Sequence, residues 1–202
     1  MRFFLFFALL PAAFLPPAYG QLFSYGIKIG VPMTDPFADA TFSSPNVGGS
    51  IRSYSDAKKF LIGPMVELHL PFGFSVNADG IYRPLRLVEA STPSAGALPG
   101  INSANYASWE VTPALRYRFL HTPIVKPFAE AGPSFRWADS PLSQSLSDRG
   151  FTLGAGVEIK IWKARIAPEL RWTRWGSDHN IPLGFPFQSN QNQAEFLAGF
   201  SF

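Results

Sequence analysis

Cysteine is absent from the 202 residues. No disulfide framework, thiolate metal site or lipid-modified cysteine can therefore be built. Charge of one sign is also lacking. The 17 Lys and Arg stand against 14 Asp and Glu, and both signs are spread along the chain. That excludes the clustered basic footprint of a nucleic-acid-binding protein. After the first twenty residues no run approaches eighteen apolar residues, so no transmembrane helix is expected there. No stretch keeps a 3.6-residue apolar period over three turns, and helices are expected to be minor.

The chain opens with "MRFFLFFALLPAAFLPPAYGQ". One basic residue, Arg2, precedes an apolar run from Phe3 to about Leu15, and small residues follow at Ala18 and Gly20. This is the layout of a secretory signal peptide, 1–20, cleaved before Gln21. The run is too short for a bilayer span and is broken by Pro11, Pro16 and Pro17. Loss of Arg2 from the 17 basic residues leaves a net charge of +2 on a single domain, 21–202.

Within that domain eight segments alternate apolar and polar residues, the period of a β-strand. They are 22–33, 58–70, 74–88, 106–120, 127–137, 150–162, 165–176 and 194–202. In the first, Phe23, Tyr25, Ile27, Ile29 and Val31 share a face, against Ser24, Gly26, Lys28 and Gly30. The polar faces of the set hold Lys28, Glu67, Asp79, Arg83, Glu110, Arg116, Arg118, Glu130, Arg136, Glu158, Lys160, Arg165, Glu169, Arg171 and Glu195. Acids and bases balance almost one for one.

The connections alternate in length. "PFG" (71–73), "HTPIVK" (121–126) and "KA" (163–164) are short; 34–57, 90–105, 138–149 and 177–192 are long and polar. Outer-membrane barrels have this asymmetry, with short periplasmic turns and long extracellular loops. An even strand count brings the last strand back beside the first, so the sheet can close. The fold expected is all-β, an eight-stranded antiparallel up-and-down transmembrane β-barrel. Its apolar faces meet lipid, and its polar faces fill a lumen just wide enough for side chains. A secreted sandwich, with the same charges on a solvated face, is the alternative.

Two further features bear on this reading. Tyr106, Trp109, Tyr117, Phe119, Trp137, Trp162, Trp172, Trp175 and Phe202 lie toward segment ends, where an interfacial girdle would place them. Pro64, Pro113, Pro133 and Pro168 fall inside segments with lipid-face parity. A proline cannot donate to a ladder, so bulges are expected at these positions.

The chain resembles the small outer-membrane barrels of the OmpA membrane-domain and OmpX kind. The resemblance rests on the leader, the eight segments, the turn order and the closing "AEFLAGFSF", and covers 21–202. It implies a bacterial outer-membrane location. It also implies that Phe196, Phe200 and Phe202 form a C-terminal signal read by the barrel assembly machinery. Partners would be outer-membrane lipid and an unidentified ligand of the loops, with no cofactor and no nucleic acid.

Chemistry is sparsely represented. Some small barrels act on lipids with Ser, His and an acid. Here Ser177, Asp178 and His179 are consecutive, which a relay cannot use. His69 has lumen parity, and His121 sits in a short turn. No further ligand joins Asp178 and His179 at metal-binding spacing. No catalytic or metal-binding residue is assigned, and the protein is not expected to be an enzyme. The function expected is a structural or interaction barrel with a charge-plugged lumen presenting four long loops. The alternatives are a narrow channel or carrier for small or apolar solutes and, last, a lipid-modifying enzyme.

Overall fold

The computed structural model describes residues 22–37, 39–44, 49–55, 60–92, 100–120, 122–138, 146–161, 163–177 and 189–202. The leader and the readings made for His121, Trp162, Asp178 and His179 lie outside them. Ten strands follow one another: β1 (Phe23–Pro32), β2 (Ala40–Ser44), β3 (Gly49–Ser55), β4 (Leu61–His69), β5 (Phe74–Thr92), β6 (Gly100–Arg118), β7 (Val125–Ala138), β8 (Arg149–Ile161), β9 (Ala164–Trp175) and β10 (Asn192–Ser201).

Eight of these form the wall, in the order β1-β4-β5-β6-β7-β8-β9-β10, every neighbour antiparallel. The wall closes where β10 pairs with β1, Phe200 opposite Ile27 and Ala198 opposite Ile29. Partners followed once around run from Phe23 through Leu68, Val76, Leu115, Ala131, Leu153, Trp172 and Ala194. The path returns to β1 at Met33, whose N–H donates to the Ala194 carbonyl at 2.8 Å. It arrives ten residues beyond its start. That stagger tilts the strands by roughly 35–45° and, with eight strands, leaves an interior for side chains only.

The barrel is inside-out. Lys28, Glu67, Asp79, Arg83, Arg116, Glu130 and Glu169 are buried, while Phe23, Tyr25, Ile27, Leu115, Phe151 and Leu170 are exposed. A monomer in water rarely exposes apolar patches beyond a few hundred Å². This one carries apolar side chains around its whole circumference, so the wall spans a membrane. Aromatic residues ring it twice. Phe74, Tyr117 and Phe119 stack near the short turns, and Tyr82–Trp109 and Phe135–Trp137 near the long connections. From Tyr117 to Trp109 is about 26 Å along the strand at ~3.3 Å per residue. Strand tilt reduces this to about 20 Å of height, close to the ~25 Å apolar band of such barrels.

Two expectations change. The connection 34–57 contains the hairpin β2–β3, and β3 adds to the far end of β5, Ser50 opposite Thr92 and Tyr54 opposite Val88. The connection 90–105 shrinks because β5 and β6 stay paired out to Ser91 opposite Gly100. Short polar residues in these stretches weaken the alternation, but pairing with a neighbour carries the strands on.

The prolines need no bulges. The β4–β5 register is the same on both sides of Pro64, Ile62 opposite Tyr82 and Met65 opposite Asp79. Pro113 and Pro133 face each other in an unshifted ladder, between Val111–Phe135 and Leu115–Ala131. Two residues without donors thus share one site, and no N–H there loses its acceptor. Pro168 drops its pairing toward β8 but keeps Ala198 in β10. Gly63 and Gly132 precede Pro64 and Pro133, and the carbonyls of Gly80 and Pro113 lie where a Cβ at those glycines would stand. Missing side chains thus accommodate the disturbed ladder.

The same close approach occurs at the closing seam, where the Phe200 carbonyl occupies the place of a Gly26 Cβ. Gly26→Val is expected to destabilise the barrel by about 1–3 kcal/mol or more through overpacking of the seam. On an unboiled detergent gel it would migrate like the boiled protein. Gly80→Ala, whose new Cβ would meet only the Val111 side chain at 3.8 Å, should keep the compact, heat-modifiable form.

Candidate functional site: a layered lumen and its basic mouth

Alternate residues of every wall strand point inward, and their side chains sort into layers. At the centre three cations interleave with three anions. Lys28 Nζ donates to Asp79 at 2.8 Å and Glu169 at 3.0 Å. Arg171 donates to both Asp79 oxygens, at 3.0 and 2.6 Å, and to Glu130 and Glu169 at 3.1 and 2.9 Å. Arg116 holds Glu130 at 2.6 Å, with Glu169 at 3.4 Å, and lies 4.0 Å over the Phe128 ring. These six come from β1, β5, β6, β7 and β9. Their side chains are at most 3% exposed, so each charge depends on the others for the solvation that water would supply.

Toward the short turns, Arg118 bridges Glu158 at 2.7 Å and Glu67 at 2.5 Å, and donates to Ser75 at 2.9 Å. Toward the long connections, Arg83 and Arg136 share Glu110, at 3.0 and 3.2 Å, and Arg83 also contacts Glu195. Arg136 reaches Gln193 at 2.9 Å and stacks 3.7 Å over Trp175, whose Nε1 donates to the same Gln193 oxygen. A chain of hydroxyls, Thr112–Ser134–Thr152–Thr173, joins β6 to β9 at 2.8, 2.5 and 2.7 Å. Leu61, Ile81 and Leu197 pack together inside the wall. At the long-connection end, Phe37, Leu85 and Leu146 form a buried apolar lid with Tyr106 and Ala138.

All the charges expected in the lumen join this network except Lys160 and Arg165. Both stand at the short-turn mouth, because each is the first inward position beside the β8–β9 turn. Phe196, Phe200 and Phe202 are on the outer face of the C-terminal strand or just beyond its end. Trp175 departs from its expected place in the girdle. It has inward parity and is 2% exposed, packed under Arg136. Sequence reasoning also passed over the inward Ile81, Thr112, Thr152 and Thr173. Their parity was readable, but an uncharged residue on a polar face attracts no notice until its neighbours across the lumen are known.

One pair has the composition of chemistry. Ser24 Oγ lies 3.1 Å from His69 Nε2. The Arg165 guanidinium donates to that same nitrogen at 2.7 Å. Its lone pair is committed to a cation rather than available to deprotonate Ser24, which argues against a nucleophile–base pair. Ser177 is exposed at the opposite end of the barrel. Among the described residues no three acids or histidines converge as metal ligands.

No family model matches the chain, and no curated protein matches it in sequence. Solved structures resemble it in shape. OprG of Pseudomonas aeruginosa, an outer membrane protein, is 12% identical with a TM-score of 0.47, over 89% of this chain and 94% of that one. Ail, the attachment invasion locus protein of Yersinia pestis, is 14% identical with a TM-score of 0.37, over 89% and 99%. LpxR of Salmonella typhimurium is 8% identical with a TM-score of 0.31, over 89% and 99%. These values are too low for any property to pass from one protein to the other. The barrel assignment stands on the register of this chain's own strands.

Removing one member of the central layer leaves buried charges without partners. Arg171→Met is expected to lower stability by about 3–5 kcal/mol, read as a reduced urea midpoint for unfolding from lipid vesicles by tryptophan fluorescence. Arg174→Met, one residue group along the same strand but exposed and bonded only to Asn192 among the described contacts, should change it by no more than about 0.5 kcal/mol.

Proposed function

We propose that this protein is a non-enzymatic outer-membrane barrel of the OmpA membrane-domain and OmpX kind, whose sealed wall supports a projecting recognition sheet. The observation that carries the reading is the length of β5 and β6. They continue past the upper aromatic ring to Ser91 opposite Gly100, about 25 Å beyond Trp109 at ~3.3 Å per residue. The hairpin β2–β3 widens this extension into a four-stranded sheet. Among the described residues β2 has no partner on its far side, and β6 has none on the β7 side before Ser108 opposite Ala138. Open edges of this kind accept an extended strand from another chain. The layers beneath the sheet favour support over conduction, since a permeating ion would have to displace paired buried charges.

The outer-membrane location is supported by the leader, the apolar circumference and the segregation of short and long connections. In this reading the short turns face the periplasm, and Phe196, Phe200 and Phe202 present the C-terminal strand to the barrel assembly machinery. The extracellular partner is a protein with a free strand.

A second reading, a carrier for small apolar solutes, draws on one notch. β4 begins only at Leu61, and an apolar recess of about 410 Å³ lies beside it on the outer wall, lined by Ile29, Phe60, Ile62 and Phe196. Leu61 also belongs to the buried apolar group behind it.

The test pairs conductance with adherence. The full barrel should show no stepwise current in planar bilayers, and cells displaying it should adhere to a protein-coated surface. A variant with 87–104 replaced by a short turn, still heat-modifiable, should lose that adherence. A discrete current, or adherence unchanged by trimming, would overturn the reading.

A further inference from the structure

The lumen is not sealed flush with its short-turn end. A cavity of about 980 Å³ opens there, floored by Arg118 and Glu158. Lys126, Lys160, Lys163 and Arg165 stand around it. Glu158 is the one carboxylate side chain among its described lining residues, and Arg118 already holds it at 3.0 and 2.7 Å. Lys126 and Lys160 make no ion pair among the described residues. Lys160 is directly opposite Arg165 across β8–β9, a like-charge cross-strand pair that repels unless an anion lies between. Arg165 is bonded to His69, an uncharged acceptor at that nitrogen.

The contrast with the rest of the lumen is the point. Everywhere above, guanidinium and carboxylate meet at hydrogen-bond distance. At the mouth four cations face one volume with no acidic side chain of the described wall free to offset them. The whole chain carries a net charge of only +3, so its excess positive charge resides at this end.

The cavity is not wholly polar. Leu22, Leu70, Phe74, Leu120 and Phe202 form its lip, each well exposed. The lip is continuous with the lipid-facing wall, since Phe74 packs on Tyr117 and Tyr117 on Phe119 in the lower aromatic ring. A molecule can therefore place an anionic head among the cations while its apolar part lies across the lip toward the bilayer. The volume also exceeds what a lone tetrahedral anion would fill.

We propose that this mouth binds a phosphate-bearing amphiphile, with the phosphate group held by Lys126, Lys160 and Arg165 and the apolar portion against Leu22, Leu70 and Phe202. Lysine and arginine suit that task as point charge and planar fork respectively. The site is independent of the projecting sheet, which is at the other end of the barrel.

The test is calorimetric titration of the intact barrel in non-ionic detergent at low salt. Dihexanoyl phosphatidic acid, dihexanoyl phosphatidylcholine and inorganic phosphate are the three probes. Phosphatidic acid should bind one per barrel, at least tenfold more tightly than phosphatidylcholine. Binding should weaken in about 0.5 M salt, where surface charges are screened within a few Å. The double variant Lys126→Gln/Lys160→Gln should weaken it by about tenfold or more while remaining heat-modifiable. Arg149→Gln, at the long-connection end, should leave it unchanged. Equal affinity for the two lipids, or full binding by the double variant, would overturn the site. Inorganic phosphate binding as tightly as phosphatidic acid would overturn the amphiphile and assign the mouth to soluble phosphates.

Discussion

The structure depends on the six-charge cluster at the middle of the lumen. Lys28, Arg116 and Arg171 neutralise Asp79, Glu130 and Glu169, and the pairs reach across rather than along the chain; Lys28 and Glu169 are 141 positions apart. A buried charge without its partner is strongly unfavourable. The cluster therefore favours the one closure and register in which all six meet. A slip of one residue in any contributing strand would turn a charge out to lipid and leave its partners stranded. Net stability gained from such pairs is modest, but their specificity is high, because almost any other register leaves a charge unpaired.

Around that centre the ordinary logic of a protein is reversed. The core is ionic and the surface is apolar, so the solvent that stabilises the fold is lipid outside and charge inside. This explains how the wall tolerates Pro64, Pro113, Pro133 and Pro168 without bulging. Inserting a residue would flip every following side chain, exchanging lumen charges for lipid-facing aromatics. Losing a ladder bond at a proline is the smaller penalty, and inward glycines beside two of these prolines give the facing carbonyls room.

Layering also separates the two ends functionally. The long-connection end is sealed by Phe37, Leu85 and Leu146 and extended by the four-stranded sheet. The short-turn end stays open and positively charged. Between them, the hydroxyl chain and the Leu61–Ile81–Leu197 group fill space that the charges do not. Neither end communicates with the other through water-sized space in this arrangement, and each surface can have its own partner.

Much of this was readable from alternation alone. Period two placed Lys28, Asp79, Arg116, Glu130, Glu169 and Arg171 on the inward face, because parity is a local property of an extended chain. Turn lengths ordered the strands, and their even count predicted closure. Parity carries no information about height or about the opposite wall. Lys160 and Arg165 shared the parity of the network yet lie outside it at the mouth, and Trp175 was assigned to the girdle although its parity was inward. The hairpin β2–β3 was missed because its residues extend only where β5 offers an edge. What the sequence determined by itself was the face of each residue and the strand order, since both follow from local geometry and turn length. Tertiary structure alone decided which charges pair, how far β5 and β6 project, and that a basic mouth is left open. Those depend on the ten-residue stagger of the closed wall, a quantity that no single strand contains.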